Sequence, residues 1–536
     1  METHGIAKKV VRNTLYNIAG HIWIVIVALV LTPFIIGVLG LERYGIWILV
    51  GVITGYFGLL DLGIGGVFVK YFSEHFAREE EEKINSIINT GFLFYASFAS
   101  LLTAAGFTFS REIMGFFNIS LEVYPEALPA FRIGIVAFAF SCLMKVFKTI
   151  QGGLQRMDIT NAVDVASSVV IVVGTVYALR RGYGLEGLMF VRLLTVFLIG
   201  IADVYIAYRI FPALRLRPLK ADKKTFWKLF SFGYKWQIAT FSSMISTHID
   251  KLLISYFLTL GMVSFYQLGS AIVHKCKATV LILLNALMPA FSEIDAMGER
   301  EKLIRGYMVC TKYIAFVAIP LFVFVVLAAE DIMTLWMGPG YEKSAWIIKI
   351  LGVGWLCAVV SGIRSVVLQA TARPEVEMKA GLIAAVLNIA LSIFLILKVG
   401  FAGVAFGTAG ALFCSVIYAT ITLHKILGLS TIRFIRSSII GAVLTVGAAG
   451  VPARFMTIRL NAFLGETGRA ASAVSFLSFA ASFAFLYLSL LFFIKPFKRD
   501  EAMLLVGNLP GGLGGVLRHF SRAETAGVII SNERQV

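Results

Sequence analysis

The chain has 536 residues, of which 58% are hydrophobic and only 15% charged, and its mean hydropathy is +0.85. An ordinary soluble domain is about a quarter charged, so a water-soluble fold is excluded: too much apolar surface would face water. The net charge of +17 is carried mostly by short loops between apolar runs, the positive-inside pattern of a membrane protein, and no soluble basic face is left for nucleic acid.

About 20 mainly apolar residues cross the hydrocarbon of a bilayer. On that measure the sequence predicts an all-α integral membrane protein of about fourteen transmembrane helices, near 14–39, 44–69, 86–109, 128–150, 160–179, 184–208, 229–256, 262–288, 306–328, 344–370, 380–398, 402–424, 434–452 and 470–494. The first is preceded by a basic start but lacks a small-residue cleavage site, so it reads as a span and not as a leader. Its Asn13, Asn17 and His21 share one stripe. In the second span Gly51, Gly55, Gly58 and Gly65 form a small-residue face that suits close helix packing. Asp61 beside them needs a basic partner or a proton, which makes it a candidate coupling or gating acid.

The run of four glutamates at 79–82 reads as a solvated loop. The fourth span carries Arg132 towards its outer end and Lys145 and Lys148 in its inner third, the last two on one face. These are substrate-binding candidates, with interfacial anchoring as the alternative. Asp164 and Asp203 are weaker candidates near helix ends. The seventh span has a wide polar face with Ser242, Ser246 and Asp250 at a spacing of four, flanked by Ser243, Thr247 and Lys251. Such a face lines a cavity or packs on another helix. Asp250 and Lys251 are gating candidates, or Asp250 pairs with Lys251 or His248.

The eighth span places His274, Lys275 and Lys277 near mid-membrane. His274 and Lys277 share a face, while Lys275 is turned about 100° away. The alternatives are snorkelling lysines or an anion-facing, water-filled cavity. Arg364 lies in the tenth span at a depth similar to Lys148 in the fourth. Two such basic positions suit a pyrophosphate, arginine through its fork and lysine as a point charge. Cys142, Cys276, Cys310, Cys357 and Cys414 lie singly in apolar runs and read as small hydrophobes. Neither metal ligands nor a cofactor are expected. The glycine run at 510–515 has no following lysine and hydroxyl residue, so it is not a phosphate loop.

The chain also repeats itself. The segment 182–190 resembles 399–406, with Gly184, Gly187 and Phe190 matching Gly400, Gly403 and Phe406, and 150–156 answers 368–374. The segment 39–44 likewise faces 260–265, and an offset near 216–221 residues implies one duplicated six-span unit, with parallel copies about an axis along the membrane normal. The expected organisation is a first lobe over 1–208, a basic cytoplasmic linker over 209–228, a second lobe over 229–424, two extra helices over 425–494 and a cytoplasmic tail over 495–536. Basic residues on every second loop put both termini on the cytoplasmic side.

Several of these residues carry a family resemblance. Pro33, LeuGlyLeuGluArgTyrGlyIleTrp (39–47), LeuLeuAspLeuGlyIle (59–64), HisIleAspLysLeuLeuIle (248–254), LeuGlnAlaThrAlaArgPro (368–374), Asn388 and GlyPheAlaGlyValAla (400–405) resemble polysaccharide-transport flippases in order and spacing. The resemblance covers about 10–425. It implies the multidrug/oligosaccharidyl-lipid/polysaccharide superfamily, nearest the Wzx-type O-antigen flippases. Such proteins form two six-helix lobes around a central cavity and turn undecaprenyl-pyrophosphate-linked sugars across the cytoplasmic membrane by alternating access. The usual glycine of the 368–374 motif is Ala372 here.

The expected function is therefore flipping of a lipid-linked oligosaccharide for surface polysaccharide, with no catalysis. Proton or sodium coupling and glycan polymerase partners are further expectations. A cation-coupled multidrug exporter of the same superfamily is the alternative, although acidic cavity residues would suit it better than these basic ones. A membrane-embedded glycan polymerase is the third reading and would need a large outer loop or a carboxylate site.

Overall fold

The computed structural model describes residues 2–58, 64–154, 156–218, 221–285, 287–464 and 468–496. All regular structure among them is helical, as expected where no water is available to satisfy an open backbone. In chain order the helices are α1 (Glu2–Phe57), α2 (Ile64–Ala77), α3 (Glu81–Thr108), α4 (Ser110–Gly115), α5 (Tyr124–Gly153), α6 (Met157–Arg180), α7 (Gly184–Ile210), α8 (Lys223–Phe257), α9 (Leu260–Asn285) and α10 (Met288–Ala296). There follow α11 (Arg300–Leu327), α12 (Ala329–Met337), α13 (Glu342–Val360), α14 (Gly362–Ala370), α15 (Pro374–Val399), α16 (Phe401–Leu427), α17 (Thr431–Ser438), α18 (Ile440–Leu464) and α19 (Arg469–Ile494).

Twelve helical stretches among the described residues are long and apolar enough to cross a membrane. Val25–Phe57 counts once there, yet Gly40 at φ 78° divides α1 into two helices. The more polar α8 carries the seventh predicted span. With these two, each of the fourteen predicted spans has a helix over all or part of its length among the described residues. The matched glycines of the repeat, Gly184 and Gly400, have φ of 54° and 74°. Each therefore opens a span from a left-handed residue that a side chain would disfavour.

The chain forms two compact units. The first comprises residues 12–267 with 399–404. In it α5 packs against α2, α3, α6 and α7 around an aromatic core that includes Phe68, Phe72, Tyr95 and Phe147. The connector after α7 is tied to α3 by side chains that take over backbone pairing. Asn85 donates to the Ala213 carbonyl (2.9 Å) and accepts from the Arg215 amide (2.6 Å). Asn89, one turn on, donates to the Arg215 carbonyl (2.9 Å) and accepts from the Arg217 amide (2.5 Å). Asp222 then caps α8 by accepting from the amides of Lys224 and Thr225. The clamp and cap fix where α8 starts as it packs on α2 and α3.

The second unit takes in Leu268–Lys398 and the described residues from Ala405 onward. Here α11 packs on α13, α17 and α18, while α19 packs on α12 and α18. Phe479 of α19 stacks on Phe324 of α11 with ring centroids 5.3 Å apart and planes 3° from parallel. The last two predicted spans are thus built into this unit's core. The motif at 368–374 forms the end of α14. Arg373 N–H donates to the Leu368 carbonyl (2.8 Å) and Ala372 N–H to the Gln369 carbonyl (3.2 Å), the two bonds of a Schellman cap. Ala372 holds the left-handed position of that cap at φ 53°. The structure thus shows why the position suits glycine.

Candidate functional site

The first unit contains a cleft of about 190 Å3 whose walls carry two cationic side chains and a few polar groups. One wall is α1, with Trp47 and Ile48 and the small-residue face Gly51 and Gly55. Opposite it stand Arg192 of α7, His248 and Lys251 of α8, and Gln267 of α9. The glycines have a spatial purpose. A Cβ on Gly51 would sit 3.6 Å from Nη1 of Arg192, and one on Gly55 3.4 Å from Cε of Met244. Larger residues would close the cleft onto the guanidinium.

Arg192 lies eight residues into α7, about 12 Å along the helix axis from its start. Its side chain makes neither a hydrogen bond nor an ion pair among the described residues. An arginine so placed in an apolar helix is expensive unless it faces water or an anion. Lys251 is buried, with its ammonium 3.4 Å from Nδ1 of His248. Asp250 next to it is buried too, and accepts a hydrogen bond from the Tyr266 hydroxyl of α9. Asp250 is therefore held by a phenol in addition to its neighbouring charges, and the cleft presents Arg192 and Lys251 to whatever enters.

The other expected residues are placed as follows. Lys277 stands over the Trp355 ring of α13 at 3.6 Å from its centroid, and His274 meets the same ring edge-on at 5.7 Å. The shared face predicted for the two therefore exists, organised by an indole across the second unit. Lys275 points elsewhere, and its ammonium has no ion pair or hydrogen bond among the described residues. Arg364 is buried and engaged: it donates to Glu377 (3.1 Å) and to the Val416 carbonyl (3.3 Å), and Ser365 also bonds Glu377 (2.8 Å). Lys148 pairs with Asp164 at 3.3 Å, and Arg132 donates to Ser110 Oγ (3.2 and 3.1 Å) with Phe107 beneath it. Lys145 lies 5.8 Å from the Tyr95 ring. None of Arg132, Lys145 or Lys148 lines the cleft.

Asp203 is buried and accepts from Gln151 Nε2 (2.8 Å), whose Oε1 accepts from Thr160 (3.3 Å). This ties α5, α6 and α7 together and gives the 150–156 motif a packing task. Asp61 lies outside the described residues, as do the side chains of Asn13, Asn17, His21, Ser242, Ser243 and Ser246. Among the residues that sequence reading missed, Arg192 and Trp355 matter most. A lone arginine inside an apolar run was the available signal for the first. Nothing local marks the second.

A family model described as "Polysaccharide biosynthesis protein" matches residues 10–295, more than half of the chain. The chain belongs to that family. The family resemblance read from the motifs is thereby borne out over residues 10–295. A Shigella flexneri protein named as an O-antigen transporter is 20% identical over 406 residues, spanning 74% of this chain and 93% of that one. A Haloferax volcanii protein named as a flippase is 21% identical over 428 residues, spanning 78% and 84%. Among solved structures, the lipid II flippase MurJ in an inward closed conformation has a TM-score of 0.68 at 16% identity, covering 90% of this chain and all of MurJ. An inward-facing multidrug resistance transporter, itself described as a member of the MOP superfamily, has a TM-score of 0.62 at 14% identity, covering 78% of this chain and 94% of that one. These likenesses establish the fold: a multi-pass, all-helical membrane architecture.

Proposed function

We propose that this polysaccharide biosynthesis protein is a flippase that moves undecaprenyl-pyrophosphate-linked oligosaccharide across the cytoplasmic membrane by alternating access, with both termini cytoplasmic. The observation that carries the reading is a family match combined with cations inside apolar helices, foremost Arg192 and Lys251 in the first-unit cleft. Curated relatives named as an O-antigen transporter and as a flippase support it. A pyrophosphate carries charge that cannot cross hydrocarbon bare. An arginine fork takes two of its oxygens at once, and a lysine supplies a mobile point charge. Lys275 and Lys277 of the second unit are the corresponding cations there, with Asp250 and Asp61 as coupling or gating acids. The work of such a protein is movement of a lipid, not bond making.

The test is a strain lacking the gene. Loss of surface glycan with lipid-linked precursor accumulating inside supports the flippase. Unaltered glycan together with raised sensitivity to cationic drugs would make the protein an exporter instead.

A further inference from the structure

The second unit has another basic recess, unconnected with the residues discussed above. It holds about 520 Å3 between the start of α11 and the short helix α17. Arg305, Met308 and Lys312 follow one face of α11, and Arg433 and Ser437 of α17 stand opposite. Ile304 and Leu429 complete an apolar floor, and among the described residues Glu301 is the one carboxylate of the lining. Arg305 and Arg433 are exposed, and the side chain of neither makes an ion pair or hydrogen bond among the described residues.

The recess is built, and not a chance gap. His424, buried at the end of α16, bonds Thr431 of α17 through Nδ1 (2.8 Å) and the Tyr307 hydroxyl of α11 through Nε2 (3.2 Å). Phe434 of α17 stacks on Tyr307 at 4.8 Å with planes 12° apart. Arg300 donates to the Ile426 carbonyl (2.9 Å), closing the same corner. So α17 is pinned to α11 by its inner stripe, Phe434 and Ser438. Its outer stripe is apolar, with Ile432 79% and Ile435 41% exposed, and its arginines lie between the two. That distribution is the pattern of a helix lying in the plane of a membrane interface, here between the helices α16 and α18.

We propose that this recess binds the phosphodiester headgroup of an anionic membrane phospholipid. Three cations against a single carboxylate complement a phosphate, and basic pockets between transmembrane helices at the interface are where such headgroups dock. The apolar floor at Ile304 and Met308 and the isoleucines of α17 suit the glycerol and first methylenes of a lipid. A free phosphate ion would leave them unused.

Native mass spectrometry of the full-length protein in detergent tests this, with phosphatidylglycerol and phosphatidylcholine as probes. Wild-type protein should retain phosphatidylglycerol over phosphatidylcholine. Arg305→Ala and Arg433→Ala should each weaken that retention about tenfold, the effect of losing one charge-assisted hydrogen bond, and the double variant should abolish the preference. Arg436→Ala, a neighbouring arginine that does not line the recess, should behave as wild type. Both arginines are exposed, so either single variant serves if the double one fails to fold. Equal retention by wild type and variants, an equal loss in Arg436→Ala, or displacement of the lipid by millimolar inorganic phosphate would each overturn the proposal.

Discussion

Replacing Ala372 by glycine should stabilise the protein. The residue ends α14 at φ 53°, and both backbone bonds of the cap depend on that conformation. A left-handed backbone costs a residue with a Cβ roughly 1–2 kcal/mol. Glycine removes that strain but loses about 0.4–1 kcal/mol through the greater freedom of the unfolded chain. The balance is a gain of about 0.5–1 kcal/mol. In a domain of about 200 residues 1 kcal/mol moves the melting temperature by about 2–4 °C, and in a longer chain by less. A rise of about 1–2 °C is therefore expected for purified Ala372→Gly in detergent, followed by tryptophan fluorescence. Ala372→Val, branched at Cβ, should melt below wild type in the same experiment. A glycine variant that melts at or below wild type would refute the reasoning, because it would mean that the cap carries no strain.

Arg192→Ala should abolish surface glycan while protein level and membrane insertion stay normal, and Arg192→Lys should restore it only in part, since the fork is lost; full glycan with the alanine variant would remove Arg192 from the transport path. The double replacement of Lys275 and Lys277 by alanine should likewise abolish surface glycan, measured beside immunodetection of the protein in membranes. Gly45→Ala should destabilise by about 1–3 kcal/mol, the usual cost of overpacking, because its Cβ would lie 2.2 Å from the Leu260 carbonyl oxygen; an unchanged melting temperature would show that the α8–α9 turn yields freely. Hydrogen bonds from the Thr225 hydroxyl and from the amides of Thr225 and Lys224 hold the Asp222 carboxyl below the ordinary carboxylate range. The cap's contribution is therefore complete above the unfolded carboxylate pKa and is lost as pH falls through the lower folded one, and Asp222→Asn should flatten the acid limb of the stability curve.

Much of the site was legible because helices repeat locally. That His274 and Lys277 share a face follows from a spacing of three, and both meet Trp355. The depth of Asp250 and Lys251 in the seventh span likewise follows from counting residues. What they meet was not legible. Tyr266, which holds Asp250, lies sixteen residues away across a turn, and Glu377, which holds Arg364, lies on the following helix. The pairing of Arg364 and Lys148 suggested by the repeat is not reflected in their contacts: the first is buried against Glu377 and the second is an exposed partner of Asp164. A duplicated backbone places positions alike, but each side chain answers to its own neighbours.

The amino-acid sequence alone determined that this chain lives in a bilayer, because apolar runs of spanning length leave the backbone no solution but helices. It also located the helix breaks, since the left-handed turns at Gly184 and Gly400 lie in the repeated motif. Only the tertiary structure decided which charges are spent on packing and which stand in a cleft. An arginine in an apolar helix is committed to packing where a carboxylate meets it and is left to face a cleft where none does, and that distinction depends on helices brought together from distant parts of the chain. Arg364 and Arg192 look alike in the sequence, each a lone arginine in an apolar run. One is bonded to Glu377, and the other faces the small residues of α1 across the cleft.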